Sequence, residues 1–391
     1  MGTRGIVAYR PAIGKSFTDP RSGTKYILEK VIGTCGYDYI YKASYYKTDY
    51  SVNGNLLPSG YVTVKYLQPG PEAVRSRAQG RAPNQNTINV DTWFVRRFRE
   101  GLCVSLPYMS EGSIRYILSS RFHYGLPEDC IAIVLKEALL GLNDIHTAGR
   151  VHKSFNVGNI FVNFRPSPVS SVEIKLAFAA TAYESDLDTP IEKVVLDDGQ
   201  FPGEPSVPPL MMISEWASAP EVFYTKYYTS DSSSSDDDGH DRRASRDESY
   251  YTIKSDIWLV GIAALELAYG NIRVCNRREL NALIKKIRRW KRLPNKLEYL
   301  QEEIQAEDAG GKMKKVVGYF KDKLKLGRKK RGERVFAKDF EKLVLDCLSS
   351  KASKRPTVES LLQRPYFQNA RDLKWFERHV LHGKNAVPTG D

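Results

Sequence analysis

Val151-His152-Lys153-Ser154-Phe155-Asn156-Val157-Gly158-Asn159-Ile160 is the stretch on which the reading of this chain turns. Just before it, Ile131, Val134, Leu135, Ala138, Leu139, Leu142 and Ile145 recur at helical spacing, the mark of an amphipathic helix. Ile114, Ile117 and Leu118 start the same period. Further upstream the pattern is that of strands: Ile27–Ile32 and Tyr37–Tyr45 flank Gly33 and Gly36, and Tyr61–Leu67 is rich in β-branched and aromatic residues. Trp93–Arg97 and Leu102–Pro107 predict a further hairpin, and Glu72 to Arg81 is a short helical candidate among Pro, Gly and Asn. Downstream, Ile257 to Ala268 is apolar on nearly every face and predicts a buried helix. Leu343–Cys347 and Val358–Leu362 predict shorter helices, the second entered through Pro356 and Thr357. Strands first and helices after, with a hinge near Ser105–Gly112, predict an α+β, bilobal fold: a small β-rich lobe joined to a larger helical one.

Composition narrows the class. An apolar fraction of 41% over 391 residues supplies a sizeable core and excludes a wholly disordered chain. The five cysteines are an odd number without C-x-x-C spacing, which argues against a disulfide framework or a zinc knuckle and for a reducing compartment. Met1 to Pro11 lacks the apolar region of a signal peptide, and Ile6 stands where a myristoylation motif wants Ser or Thr. The longest apolar stretch, around Leu259 to Tyr269, contains Glu266 and is too short to span a bilayer. These features predict a soluble cytoplasmic protein, with nuclear import through Arg328-Lys329-Lys330-Arg331 as the alternative.

Six blocks in order carry a family resemblance. Val62-Thr63-Val64-Lys65 follows Gly33 as a strand-borne lysine follows a glycine loop, and Leu102–Ser113 resembles a kinase hinge. Val151–Ile160 aligns without a gap on the H-R-D-L-K-x-x-N catalytic loop, Ala219-Pro220-Glu221 on A-P-E, Ser255-Asp256-Ile257-Trp258 on the start of a buried helix, and Lys354-Arg355-Pro356-Thr357 on a late K-R-P-T. From Tyr26 to Phe367 the chain thus resembles the protein kinase superfamily. HTAGRVHKS, the hinge and the closing HVLHG look most like the sterile-twenty/germinal-centre serine/threonine kinases of plants. STRAD-type pseudokinases of that group are similar at Gly60–Val64. The resemblance implies an N-terminal extension over 1–25, a small lobe over 26–108 with a shortened C-helix region, a large lobe over 109–370, and a tail over 371–391.

The resemblance also implies which chemistry is missing. The catalytic base should be an aspartate, but that position is Ser154, and the lysine two residues on is Asn156. The magnesium-binding aspartate falls on Phe178 in one register and on Ala177 in the other; neither is a carboxylate. In the glycine-loop frame Asp38 places negative charge beside the expected phosphates, and no glutamate stands where the partner of Lys65 belongs. For Lys65 two readings stay open, a structural lysine on an edge strand and a nucleotide contact. Gly33, Lys65, the Pro107 carbonyl, the Met109 N–H and Asn159 are the nucleotide-binding candidates, with Leu106 as gatekeeper. ATP without magnesium is the cofactor reading; no metal is expected. The architectural residues are retained: Glu221 and Arg355 as an ion pair, Asp256 holding the catalytic-loop backbone, and His152 in the core. That asymmetry predicts a pseudokinase acting on a protein partner, foremost an active kinase. A serine/threonine kinase with noncanonical residual activity is the alternative, and a basic adaptor for an acidic partner, lipid or nucleic acid is the third class.

Two segments depart from the family pattern. The insertion at 229–250 is rich in Ser and Asp and reads as solvated; Ser233, Ser234, Ser235 and Ser245 are phosphorylation candidates. The segment 312–334 carries eleven Lys and Arg against Asp322 and Glu333. Docking of the phosphorylated insertion on that basic segment is one expectation. An anionic membrane surface or an acidic protein also fits the charge, whereas nucleic acid is disfavoured, since no aromatic interleaving accompanies the basic run.

Overall fold

The computed structural model describes residues 13–35, 38–47, 51–52, 55–56, 58–67, 85–88, 92–95, 102–166, 170–177, 211–222, 251–270, 272–274, 276–296 and 334–382. It divides into two compact units, Met1–Gly112 with Phe161–Gly203, and Ser113–Ile160 with Glu204–Asp391. The predicted helix at 72–81, Phe178, the insertion at 229–250 with its four serines, and the basic segment up to residue 333 lie outside the described residues.

The first unit is a strand-built body, as the period-two patterning predicts. Its strands are β1 (Ser16–Thr18), β2 (Lys25–Cys35), β3 (Asp38–Tyr46), the short β4 (Ser51–Val52) and β5 (Asn55–Leu56), β6 (Gly60–Leu67), β7 (Thr87–Ile88), β8 (Thr92–Val95) and β9 (Leu102–Pro107). Six of them form an antiparallel sheet in the order β1-β2-β3-β6-β9-β8. The pleat sends Leu28, Tyr41, Ala43, Val62, Val64 and Cys103 to one face, where Phe17 and Tyr26 complete an apolar cluster. Two expectations are corrected here. Lys65 does not stand on an edge strand: β6 lies between β3 and β9, because the hairpin β8–β9 adds to its far side. And residues 16–18, read as part of an extension, supply the sheet's first strand, with Phe17 buried and stacked on Tyr26 at 5.4 Å. A second sheet runs β10 (Gly112–Ser113), β11 (Ile160–Arg165), β12 (Ser171–Ala177), β7.

In the second unit the apolar period becomes 3.6. After α1 (Ile114–Arg121), α2 (Glu128–Thr147) buries the stripe read from the sequence, Ile131 through Ile145. Each such Leu or Ile contributes about 1.5–3 kcal/mol by leaving water. Helix α3 (Ile253–Tyr269) is buried on nearly every face. A reciprocal cap of Thr252 and Ser255 starts it, and Gly270 ends it at φ +79°, where a Cβ would stand 2.1 Å from the His123 carbonyl oxygen. Then come α4 (Arg277–Trp290), α5 (Lys338–Cys347), α6 (Val358–Leu362), α7 (Pro365–Gln368) and α8 (Leu373–Phe376). Helix α5 begins five residues before the predicted Leu343, since Phe340 extends the buried stripe of Leu343, Val344 and Cys347. The tail reading at 371–391 also needs correction: Phe376 and Val380, four residues apart, are fully buried, and Arg121 donates to the Val380 carbonyl at 3.2 Å.

Candidate functional site

In the second unit the decisive stretch forms a loop, His152–Asn159, suspended from α3. Asp256, in the first turn of α3, is completely buried and accepts from three donors. Its Oδ2 accepts from the His152 N–H at 2.7 Å, its Oδ1 from the Lys153 N–H at 2.7 Å, and His146 Nε2 lies 2.7 Å from Oδ2. A carboxylate is required here because two backbone donors arrive on different oxygens. Lys153 has φ +67°, a left-handed conformation that a side chain disfavours by about 1–2 kcal/mol. The Asp256 contacts hold it there. His152 is fully buried, and its Nδ1 accepts from the Ser154 N–H at 3.2 Å.

Beyond Ser154 the loop is closed by neutral groups. Asn159 Nδ2 donates to the Ser154 carbonyl at 2.8 Å and to the Ser154 hydroxyl at 3.1 Å. Asn156 Nδ2 donates to the same carbonyl at 2.9 Å, and Asn156 Oδ1 accepts from the Gly158 N–H at 2.8 Å, capping the 3-10 turn Val157–Asn159. Asn156 thus points back into its own loop. A hard dication wants charged oxygens, and this loop offers neutral ones, the Ser154 hydroxyl and the Asn156 and Asn159 amide oxygens, of which Asn156 Oδ1 already accepts from Gly158 and Arg115. Among the described residues, no three His, Cys, Asp or Glu side chains converge to hold a metal.

A second network beneath the loop went unread in the sequence. Arg115 Nη2 donates to Ser214 Oγ at 2.7 Å and to Asn156 Oδ1 at 3.3 Å, and lies 3.5 Å from Glu266 Oε1. Glu266 is fully buried in α3; burial pushes its carboxyl pKa up, and the Arg115 guanidinium and Ser214 only partly offset this. The signal was present as the one charge in an apolar run, which demands a buried partner. Gly158 makes room for that partner: a Cβ there would stand 2.8 Å from Arg115 Nη1.

Glu221 and Arg355 form a two-pronged pair, Nη1 to Oε1 at 2.7 Å and Nη2 to Oε2 at 2.8 Å. Arg355 also donates to the carbonyls of Lys254 and Ser349, and Ser255 Oγ donates to Glu221 at 3.0 Å. The arginine side chain is fully buried, the glutamate 29% exposed, so the pair is buried on one side only. Burial raises the Glu221 pKa, but the Arg355 hydrogen bonds and charge outweigh it and leave the carboxyl below the usual range.

In the first unit, register gathers the other candidates. Gly33 pairs with Ile40, Ile40 with Lys65, and Lys65 with Val104, so the four form one row across β2, β3, β6 and β9. Directly paired residues share a face. On that face Val104 joins Leu106, Met109 and Ile88 in an apolar cluster, with Phe161 and Ala177 packed against it. Pro107 ends β9 opposite Val62, and Met109 is 6% exposed. In the register that gives Ala177 the aspartate's position, the residue is a methyl on an apolar surface, where a carboxylate would be desolvated. Gly33 has its nearest side-chain neighbour 3.9 Å from a would-be Cβ, so packing does not demand glycine there.

No protein-family model matches the chain. It is 23% identical over 367 residues to serine/threonine-protein kinase fray2 of Dictyostelium discoideum, covering 93% of this chain and 27% of that one. It is 25% identical over 302 residues to germinal center kinase 3 of Caenorhabditis elegans, covering 76% and 39%. With human STE20-related kinase adapter protein beta it shares 25% over 304 residues, covering 75% and 62%. The chain therefore spans less than two thirds of the length of these relatives. Kinases of the STE20 family and a STE20-related adapter are its relatives, and with the strand-built and helical units they support the protein kinase superfamily.

Proposed function

We propose that this chain is a catalytically inactive serine/threonine kinase-like domain, a pseudokinase, that regulates another protein by binding it, an active kinase foremost. One observation carries the reading. At the position of the proton-accepting aspartate stands Ser154, whose hydroxyl already accepts from Asn159 within a loop closed by neutral groups. Phosphoryl transfer is mostly positioning and charge neutralisation, and both are lost where no carboxylate can take the proton or hold a metal. Asp256 and the Glu221–Arg355 pair, which hold the loop and the architecture around it, keep their hydrogen-bond partners. The adapter among its relatives favours the same reading. Regulation by binding requires different affinities for two states of the partner.

Nucleotide binding without magnesium belongs to this proposal. Gly33, Lys65, Val104 and Leu106 stand on one face of the sheet, with the hinge residues Pro107 and Met109 following. Asn159 carries no charge to add. Retention of Lys65 is also what favours the second reading, a kinase with residual activity.

The test uses the purified chain with labelled ATP and magnesium or manganese, beside Lys65→Met and the double variant Ser154→Asp with Phe178→Asp. The expected result is no incorporation by the native sequence above the Lys65→Met background. Reproducible incorporation that disappears with Lys65 would retire the inactive reading in favour of the second. Affinity purification followed by mass spectrometry identifies the partner.

A further inference from the structure

Among the described residues, the outer side of α4 is engaged in the fold through Arg288 alone. This helix, RRELNALIKKIRRW, turns Leu280, Leu283, Ile284 and Ile287 inward, and Glu279, an acid in its first turn, is buried with them. Arg278, Asn281, Lys285, Arg288 and Arg289 fall on the opposite arc and are exposed, and Lys291 and Arg292 continue the exposed run past the helix end. At 1.5 Å per residue the stripe is about 20 Å long. Arg288 reaches the Ser350 hydroxyl. Among the described residues no ion pair joins Arg278, Lys285, Arg289 or Arg292 to an acid.

Among the described residues, three acids of the neighbouring elements are engaged elsewhere. Glu341 accepts from the Leu293 N–H, Glu128 from the Ala337 N–H, and Asp346 pairs with Arg364. Asp339 is exposed, but between Lys338 and Lys342 in sequence. Apolar side chains stand out at the same end. Trp290, the last helical residue, is 41% exposed. The turn after it leads to Asn295, whose carbonyl accepts from Arg334 beside Val335, 77% exposed. Arg334 in turn donates to the carbonyl of Tyr124, 57% exposed. The chain leaves at Lys296 and re-enters at Arg334; in sequence 297–311 carries five acids and no Lys or Arg, whereas 312–333 carries ten Lys and Arg against Asp322 and Glu333.

From this we infer that the outer side of α4 is a docking surface for an anionic phospholipid membrane. A convex helix side with a basic stripe about 20 Å long suits a broad, laterally continuous negative surface better than an acidic peptide, which a groove would grip. Lysine and arginine are attracted to the negative surface potential. Docking by this surface would concentrate the chain at a membrane without a lipid anchor.

Co-sedimentation of the full chain with vesicles tests it, using phosphatidylcholine alone and with roughly a fifth phosphatidylserine. The expected result is partition onto the anionic vesicles only, falling as salt shortens the range of the attraction. Replacing Arg278, Lys285 and Arg289 together by Gln should weaken partition about a hundredfold, at about tenfold or less per residue. A matched variant with Lys30, Lys47 and Lys374 changed to Gln should keep it. No anionic-vesicle binding by the native chain, or equal binding by the two triple variants, overturns the inference. So does capture by polyglutamate or DNA with none by vesicles. The salt titration uses the native chain and is independent of any variant's folding.

Discussion

Replacing Asp256 by Asn removes one charge and little volume, and its effect can be worked from three contacts. The His152 and Lys153 N–H groups arrive on different oxygens, each at 2.7 Å. Either orientation of an amide leaves one of them facing an NH2 group. The loss is one hydrogen bond to a charged acceptor, about 1.5–3 kcal/mol, plus the desolvation of a stranded buried donor, about 1–3 kcal/mol. The Lys153 backbone at φ +67° is then held from one side only. A destabilisation of about 3–4 kcal/mol lowers the melting temperature of a body this size by about 10 °C, at 2–4 °C per kcal/mol. Calorimetry reads the shift, and hydrogen exchange reads the His152 and Lys153 amides directly. Unchanged protection of both amides with a shift below about 2 °C would refute the claim that Asp256 suspends the loop.

Other outcomes follow from the same geometry. Arg355→Met should cost about 3 kcal/mol, the low end for a broken buried pair because Glu221 keeps 29% exposure. Since folding lowers the Glu221 pKa, the pair stabilises above the ordinary glutamate value near 4.3 and is lost as pH falls through the folded value. The gap between the melting curves of native and variant should therefore narrow as pH falls below the ordinary glutamate range, and a gap that stays constant all the way to acid unfolding would contradict the assignment. Gly158→Ala drives a methyl against Arg115 and should destabilise by about 1–3 kcal/mol. In urea melts, adding Arg115→Ala should recover part of that, and strict additivity would show that the two do not meet. Burial pushes the thiols of Cys130 and Cys347 up to about 12, so a thiol reagent at pH 8 should label neither until denaturant is added.

The loop was legible because its signal is local: ten consecutive residues in a fixed order. The strands and α2 were legible for a similar reason, since a period of 2 or 3.6 needs only neighbours in sequence. What failed was set at long range. Of the two readings open for Lys65, the edge strand failed because β9 pairs with β6, a pairing between segments some forty residues apart. The packed residues Phe376 and Val380 follow a stretch with no strong period, and Val380 is placed by contact with Arg121 at the other end of the unit. Glu266 advertised a buried partner without naming it, and Arg115 lies 151 positions earlier.

Asn156 carries a consequence for any attempt to rebuild the loop. Its one side-chain oxygen serves both Gly158 and Arg115. A lysine at 156 would have no acceptor for either and would bring a second cation to the guanidinium. The two positions are coupled: Asn156→Lys calls for a compensating change at Arg115.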